Sequence, residues 1–154
     1  MSMSSTSNVS QKATFGAGCY WGTEKFFKED FAKKLFPTSN VAGKVGFMGL
    51  TGKEKENPSY REVCSGTTGH VEVYDLTFDG DERMYEDLCK HFFAFHDPTT
   101  LNRQGNDRGT QYGSVIFFHD EAQKNIATRV KEELQAAVSA GKINSYETKE
   151  VSTA

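Results

Sequence analysis

The sequence predicts a two-layer α+β fold, with helices packed on one face of a mainly antiparallel sheet. Three observations predict it. Strand-like and helix-like segments follow one another in the order β-α-β-β-α-β-α. Residues 69–79 alternate strictly, with Glu72, Tyr74, Leu76 and Phe78 on one side and Val71, Val73, Asp75 and Thr77 on the other. Residues 82–96 carry Tyr85, Leu88, Phe92 and Phe95 at helical spacing, which gives an amphipathic helix to cover such a sheet. The first six elements match a split β-α-β arrangement, the ferredoxin-like order.

Each element has a local reason. Residues 12–18 form a short strand, and residues 19–35 a helix with Phe27, Phe31 and Leu35 as its core stripe. Pro37 and the Thr38-Ser39-Asn40 run end that helix. Residues 41–48 form a second strand. The stretch from 49 to 60 is a long Gly-, Lys- and Glu-rich loop of the kind that often carries function. Asp79-Gly80-Asp81 is a turn, and Asp81 caps the helix that follows. His96-Asp97-Pro98 stops it. Residues 99–111 read as a polar loop without periodicity, and residues 114–119 as a strand. Asp120 caps a last helix that runs to about residue 140, where Gly141 ends it.

The chain has 154 residues, enough for one domain with a real core. Residues 1–11, polar and serine-rich, read as a disordered tail, and residues 12–154 as a single catalytic domain. Eighteen basic against 21 acidic residues leave a net charge of −3, which argues against a nucleic-acid binder. No apolar run is long enough to span a membrane, and the N-terminus has neither a secretory nor a transit pattern. Three cysteines without a C-x-x-C pair make neither a disulfide framework nor a zinc site, and no cofactor is expected. A reducing cytoplasm suits a free thiol.

The densest chemical signal is Gly18-Cys19-Tyr20-Trp21-Gly22, at a predicted strand-to-helix turn. A cysteine there lies near unpaired backbone N–H groups and the positive end of the helix dipole, which favour the nucleophilic thiolate. Tyr20 and Trp21 offer an apolar wall beside it. The same residue also fits a small buried hydrophobe. A dinucleotide turn is excluded, because Trp21 occupies the place of the third glycine. Glu72 has two readings as well. On a wet sheet face it is an ordinary glutamate; on a buried face desolvation raises its pKa and makes it a general acid. Tyr60, Tyr112 and Asp107 fit a core tyrosine or a turn as well as a site. His96 is a possible partner for Cys19 in a cysteine hydrolase.

Together the motifs are more specific than any one of them. They are Gly16-Ala17-Gly18-Cys19-Tyr20-Trp21-Gly22, Pro58-Ser59-Tyr60-Arg61-Glu62-Val63-Cys64-Ser65-Gly66, Thr68-Gly69-His70, His96-Asp97-Pro98-Thr99-Thr100, Arg103-Gln104-Gly105-Asn106-Asp107 and Gly109-Thr110-Gln111-Tyr112. In order and spacing, over about residues 12–135, the chain resembles the peptide-methionine (S)-S-oxide reductases, the A class of methionine sulfoxide reductases. The resemblance implies an α/β two-layer fold and reduction of methionine S-sulfoxide, free or in proteins, through a cysteine sulfenic acid. It implies Cys19 as nucleophile and Glu72 as acid. Tyr60, Asp107 and Tyr112 stand where the family has polar groups around the sulfoxide oxygen, and Tyr20 and Trp21 where it holds the substrate methyl group. Thioredoxin or another thiol is the implied reductant, acting on a monomer. Tyr20 replaces the family's usual Phe, Gly113 a common arginine, and Val71 a smaller residue. The family usually continues past this point with one or two recycling cysteines; the sequence stops at Ala154 without them. Direct attack of an external thiol on the Cys19 sulfenic acid is therefore expected. The readings from other classes are a non-catalytic module that binds oxidised methionine, and the hydrolase.

Overall fold

A computed structural model describes residues 10–18, 25, 41–49, 70–105 and 107–154. The sequence pattern of residues 69–79 materialises as strand β3, His70–Asp79. Its neighbours are β1, Ser10–Ala17, and β2, Val41–Gly49, both antiparallel to it. Strands β4, Arg103–Gln104, and β5, Asp107–Arg108, form a separate two-stranded hairpin. Strand β6, Ser114–Phe117, pairs antiparallel with β1 and completes the sheet order β2-β3-β1-β6. Strand β3 thus lies between the first two strands and β1 between β3 and β6, which is the predicted split β-α-β order.

One face of this sheet is the core. Ala13, Phe15 and Ala17 of β1 and Tyr74, Leu76 and Phe78 of β3 point the same way, because Phe15 lies opposite Tyr74 and Ala13 opposite Leu76. Helix α1, Glu82–Ala94, covers them with Met84, Tyr85, Leu88, Cys89, Phe92 and Phe93. The Phe15 and Phe92 rings meet at a centroid distance of 5.1 Å. Asp81 caps the helix, its carboxylate accepting from the backbone N–H groups of Arg83 at 3.1 Å and Met84 at 3.3 Å. Helix α2, Glu121–Ser139, adds Ile126, Ala127 and Val130 to the same core. Its cap is Asp120, which accepts from Gln123 N at 2.8 Å. The helix closes with Gly141 N donating to the Val138 carbonyl and Lys142 N to that of Ala137, the paired bonds of a Schellman end.

Boundaries shift where pairing overrides local pattern. Strand β1 begins at Ser10, two residues before the predicted start, because Ser10 and Gln11 pair with Asp79 and Phe78 of β3. Strand β6 ends at Phe117 rather than at residue 119, because the His119 N–H turns to the Gln123 side chain at 3.0 Å. The predicted loop 99–111 contains the β4–β5 hairpin and a 3-10 turn, Thr110–Tyr112. The last residues run back across the molecule. Ser152 N donates to the Pro98 carbonyl, Ala154 N to that of Ser114, and Ile116 N to that of Ala154. The outer edge of β6 is paired in this way. Residues 1–9 of the predicted tail, most of the predicted helix 19–35 and the loop 50–60 lie outside the described residues. Lys25, within that helix, is helical.

Candidate active site

Glu72 is fully buried, at 0 % relative exposure, on the same face of β3 as Tyr74, Leu76 and Phe78. The wet-face reading of this residue is thereby removed. Strand β3 is interior: Phe47 of β2 lies opposite Glu72, and the β1 register carries Ala17 toward its other side. The close approach at that point depends on Gly16. A Cβ there would lie 2.9 Å from Val71 Cγ1 and 3.0 Å from the Glu72 carbonyl oxygen, so a side chain would force the two strands apart. Gly18 follows at φ +86°, in the left-handed region that suits glycine. Strand β1 and Gly18 after it therefore run beside the strand that carries the buried Glu72 carboxyl group.

The second contribution comes from the hairpin and the turn after it. Asp107 is exposed on β5, opposite Gln104 of β4. Tyr112 closes the 3-10 turn, its N–H donating to the Gly109 carbonyl at 3.0 Å, and is partly buried. The turn packs against β3, the hairpin and the strand of Glu72 being its two supports. Of the residues singled out from sequence, Glu72, Asp107 and Tyr112 are thus set around one end of the sheet. Cys19, Tyr20, Trp21 and Tyr60 lie outside the described residues, as does Cys64.

His96 is committed elsewhere. Its Nδ1–H donates to the Phe92 carbonyl at 2.6 Å, and its Nε2 accepts from Ser114 Oγ at 2.8 Å. Ser114 Oγ in turn lies 2.7 Å from Thr153 Oγ1. The ring is therefore a neutral link between α1, β6 and the C-terminal segment, and the catalytic-base reading loses its free nitrogen. Burial lowers its pKa to about 4, against the opposing influence of the Phe92 carbonyl and Asp97. The sign of the consequence is fixed. Between pH 6.5 and about 4 the unfolded chain binds a proton that the folded chain refuses, so stability falls as pH drops through that window. The His96 contribution is about 3 kcal/mol at its foot. Urea unfolding at pH 7 and pH 5 should show the fall in the parent protein, and a distinctly shallower one in His96→Gln. Equal slopes in the two proteins would refute this role.

Cys89 sits at 0 % exposure in the core of α1, and burial pushes its thiol up to about 12. It is a packing residue without thiolate at neutral pH. What sequence reasoning passed over is Gln104. Nothing in a polar loop marks a glutamine as structural, and its side-chain contacts lie 4 to 86 residues away in sequence.

A family model described as peptide methionine sulfoxide reductase matches residues 11–152. The chain belongs to this family. Among its relatives, the peptide methionine sulfoxide reductase MsrA of Methanothermobacter thermautotrophicus is 47 % identical over 125 residues, covering 81 % of this chain and 68 % of that one. MsrA 1 of Nostoc sp. is 45 % identical over 137 residues, covering 89 % and 78 %. Among solved structures, methionine sulfoxide reductase A of Corynebacterium diphtheriae has a TM-score of 0.75 at 32 % identity, covering 94 % of this chain and 63 % of its own. Mxr1 from Saccharomyces cerevisiae in reduced form has a TM-score of 0.72 at 32 % identity, covering 94 % and 74 %. The chain thus spans roughly two thirds to three quarters of the length of these proteins. The family is one of oxidoreductases, and its reaction is the reduction of methionine sulfoxide. These likenesses favour neither a hydrolase nor a non-catalytic binding module. No helix among the described residues is long and apolar enough to cross a membrane.

Proposed function

We propose that this chain reduces the S-epimer of methionine sulfoxide, free or in proteins, with Cys19 as nucleophile and Glu72 as acid. The observation that carries this reading is the complete burial of Glu72 beside the end of β1. One residue, Gly18, joins Ala17 to Cys19, a span of at most about 7 Å between their Cα atoms. A carboxyl group in that place is within the class of side chains that serve as general acids.

The step balances as follows. The Cys19 thiolate attacks the sulfoxide sulfur while Glu72 protonates the oxygen. The hydroxyl so formed then shifts to the Cys19 sulfur as the substrate sulfur–oxygen bond and the sulfur–sulfur bond made in the attack both break, and the electron pair of the latter stays on the substrate sulfur. Methionine leaves, Cys19 holds the oxygen as S–OH, and Glu72 is left ionised until solvent reprotonates it. Tyr60, Tyr112 and Asp107 hold the oxygen side of the substrate and the sulfenic acid, and Tyr20 and Trp21 the methyl group. An external thiol then forms a mixed disulfide with Cys19 and releases water, and a second thiol frees the enzyme. Thioredoxin is the reductant implied by the family. The chain works as a monomeric catalytic domain in a reducing cytoplasm, where a free thiol persists.

A one-equivalent experiment tests this reading. The reduced protein, mixed with one equivalent of an S-epimer sulfoxide peptide and a sulfenic-acid trap, should carry the adduct on Cys19 and release one methionine. Handedness follows from the proposed roles, because a methyl wall on one side and oxygen donors on the other accept one configuration at sulfur. The R-epimer of a blocked methionine sulfoxide should react at less than about a hundredth of the S-epimer rate, given that several oriented contacts are lost at once. Equal rates on the two epimers would contradict the proposed pocket.

A further inference from the structure

Gly18, the residue before Cys19, runs in direct contact with the side chain of Gln104. A Cβ at Gly18 would stand 2.8 Å from Gln104 Cβ and 2.9 Å from its Cγ, so the methylene stem forms a floor under the glycine backbone. The stem is held in place by its own amide. Asp97 N donates to Gln104 Oε1 at 3.1 Å, and Gln104 Nε2 donates to the Asp97 carbonyl at 2.5 Å. Nε2 also lies 3.2 Å from Thr100 Oγ1. The Gln104 backbone is fixed independently by its pairing with Asp107. Asp97 is anchored in turn: its Oδ1 accepts from Thr99 N at 2.9 Å and its Oδ2 from Glu147 N at 3.0 Å.

A glycine at φ +86° is the least restrained backbone that can stand beside a nucleophile, since glycine has more alternative conformations than any other residue. Something outside the turn must remove those alternatives. We propose that Gln104 is a positioning residue for the nucleophile: clasped to Asp97, its stem fixes the Gly18 backbone and so sets where the Cys19 sulfur stands relative to Glu72. The inference rests on the reading of Cys19 as nucleophile. Gln104 touches no substrate in this role. A displacement of about 1 Å at a reacting atom costs up to about 100-fold in rate, so the effect of losing the floor is measurable.

Two variants separate the parts. Gln104→Ala removes stem and clasp; Gln104→Met keeps a stem of similar length and removes the clasp. The readouts are the single-turnover rate of sulfoxide reduction, KM, and the pH profile of Cys19 alkylation by iodoacetamide followed on the Cys19 peptide by mass spectrometry. Gln104→Ala should lower the single-turnover rate about 10- to 100-fold with KM changed by less than about threefold. Its alkylation midpoint should move to higher pH as the sulfur leaves the groups that stabilise the thiolate. Gln104→Met should fall between Ala and the parent. A Gln104→Ala protein with a parent-like rate and alkylation profile, or with its loss confined to KM, would overturn the inference. Should that variant fail to fold, Gln104→Met decides, a parent-like rate and profile refuting the role and a slowed rate with parent-like circular dichroism supporting it. Cys19→Ser in the same assay keeps the two readings apart. Activity in that variant overturns the nucleophile; an inactive Cys19→Ser beside a parent-like Gln104→Ala overturns only the positioning role.

Discussion

Replacing Cys19 with serine is expected to abolish methionine sulfoxide reduction, leaving no turnover above the uncatalysed rate. The reaction needs a group that both attacks sulfur and gives up two electrons to it. A thiolate does both and ends as a sulfenic acid. A serine hydroxyl is not ionised near neutral pH and has no comparable oxidised state in which to hold the oxygen. The defect is therefore chemical and leaves the substrate site intact, so the variant should still bind a sulfoxide peptide. Stopped-flow or quenched single-turnover measurements with the S-epimer, paired with intact-mass analysis, check both halves. A serine variant that released methionine, or a parent protein whose oxygen adduct sat on Cys64 or Cys89, would move the nucleophile elsewhere. Cys89 is ill suited to that part, buried in the core with its thiol pushed up to about 12.

Glu72→Gln is expected to slow the chemical step by roughly 10²–10⁴-fold at neutral pH, the usual worth of a positioned general acid. The substitution is nearly isosteric, so the fully buried site between β1 and β2 keeps its packing. It removes the transferable proton and leaves a carboxamide that can still donate a hydrogen bond to the oxygen. On the proposed roles of Tyr60 and Tyr112, the residual rate then measures their hydrogen bonding and that of the amide. The deficit should narrow as pH falls, because hydronium substitutes for the missing acid. Thermal melting separates the roles: a loss of rate with the melting temperature held within a few degrees is catalytic. A near-parent single-turnover rate would reduce Glu72 to a packing residue.

Much of the fold was legible because short-range rules were enough. The alternation along β3 grouped Glu72 with Tyr74, Leu76 and Phe78 on one face, and all four are buried. Asp81 and Asp120 marked the starts of two helices through the chemistry of their side chains, and both caps are made. The stripe of Tyr85, Leu88 and Phe92 faces the core as its spacing requires. The family was legible too, since ordered motifs with fixed spacing carry more information than any single residue.

Other features depend on contacts between distant residues, which no local pattern encodes. Burial of Glu72 was undecided in the sequence, because alternation says which residues share a face and not whether that face is covered. It is decided by the tertiary fold, in which β3 lies inside the sheet and Glu72 is fully buried. The 99–111 segment showed no periodicity, yet it folds into a hairpin and a 3-10 turn that bring Gln104, Asp107 and Tyr112 to one end of the sheet. The residues after Gly141 carried no signal at all. They are ordered by Pro98, Ser114 and Lys131, whose partners lie 22 to 54 residues away. By itself the sequence determined the four strands of the main sheet, the two described helices with their caps, and the family, all of which rest on local stereochemistry or motif order. Only the tertiary structure decided that Glu72 is dry, that His96 is a neutral structural link and that Gln104 lies under the approach to Cys19, because desolvation and hydrogen bonding at each depend on groups far away along the chain.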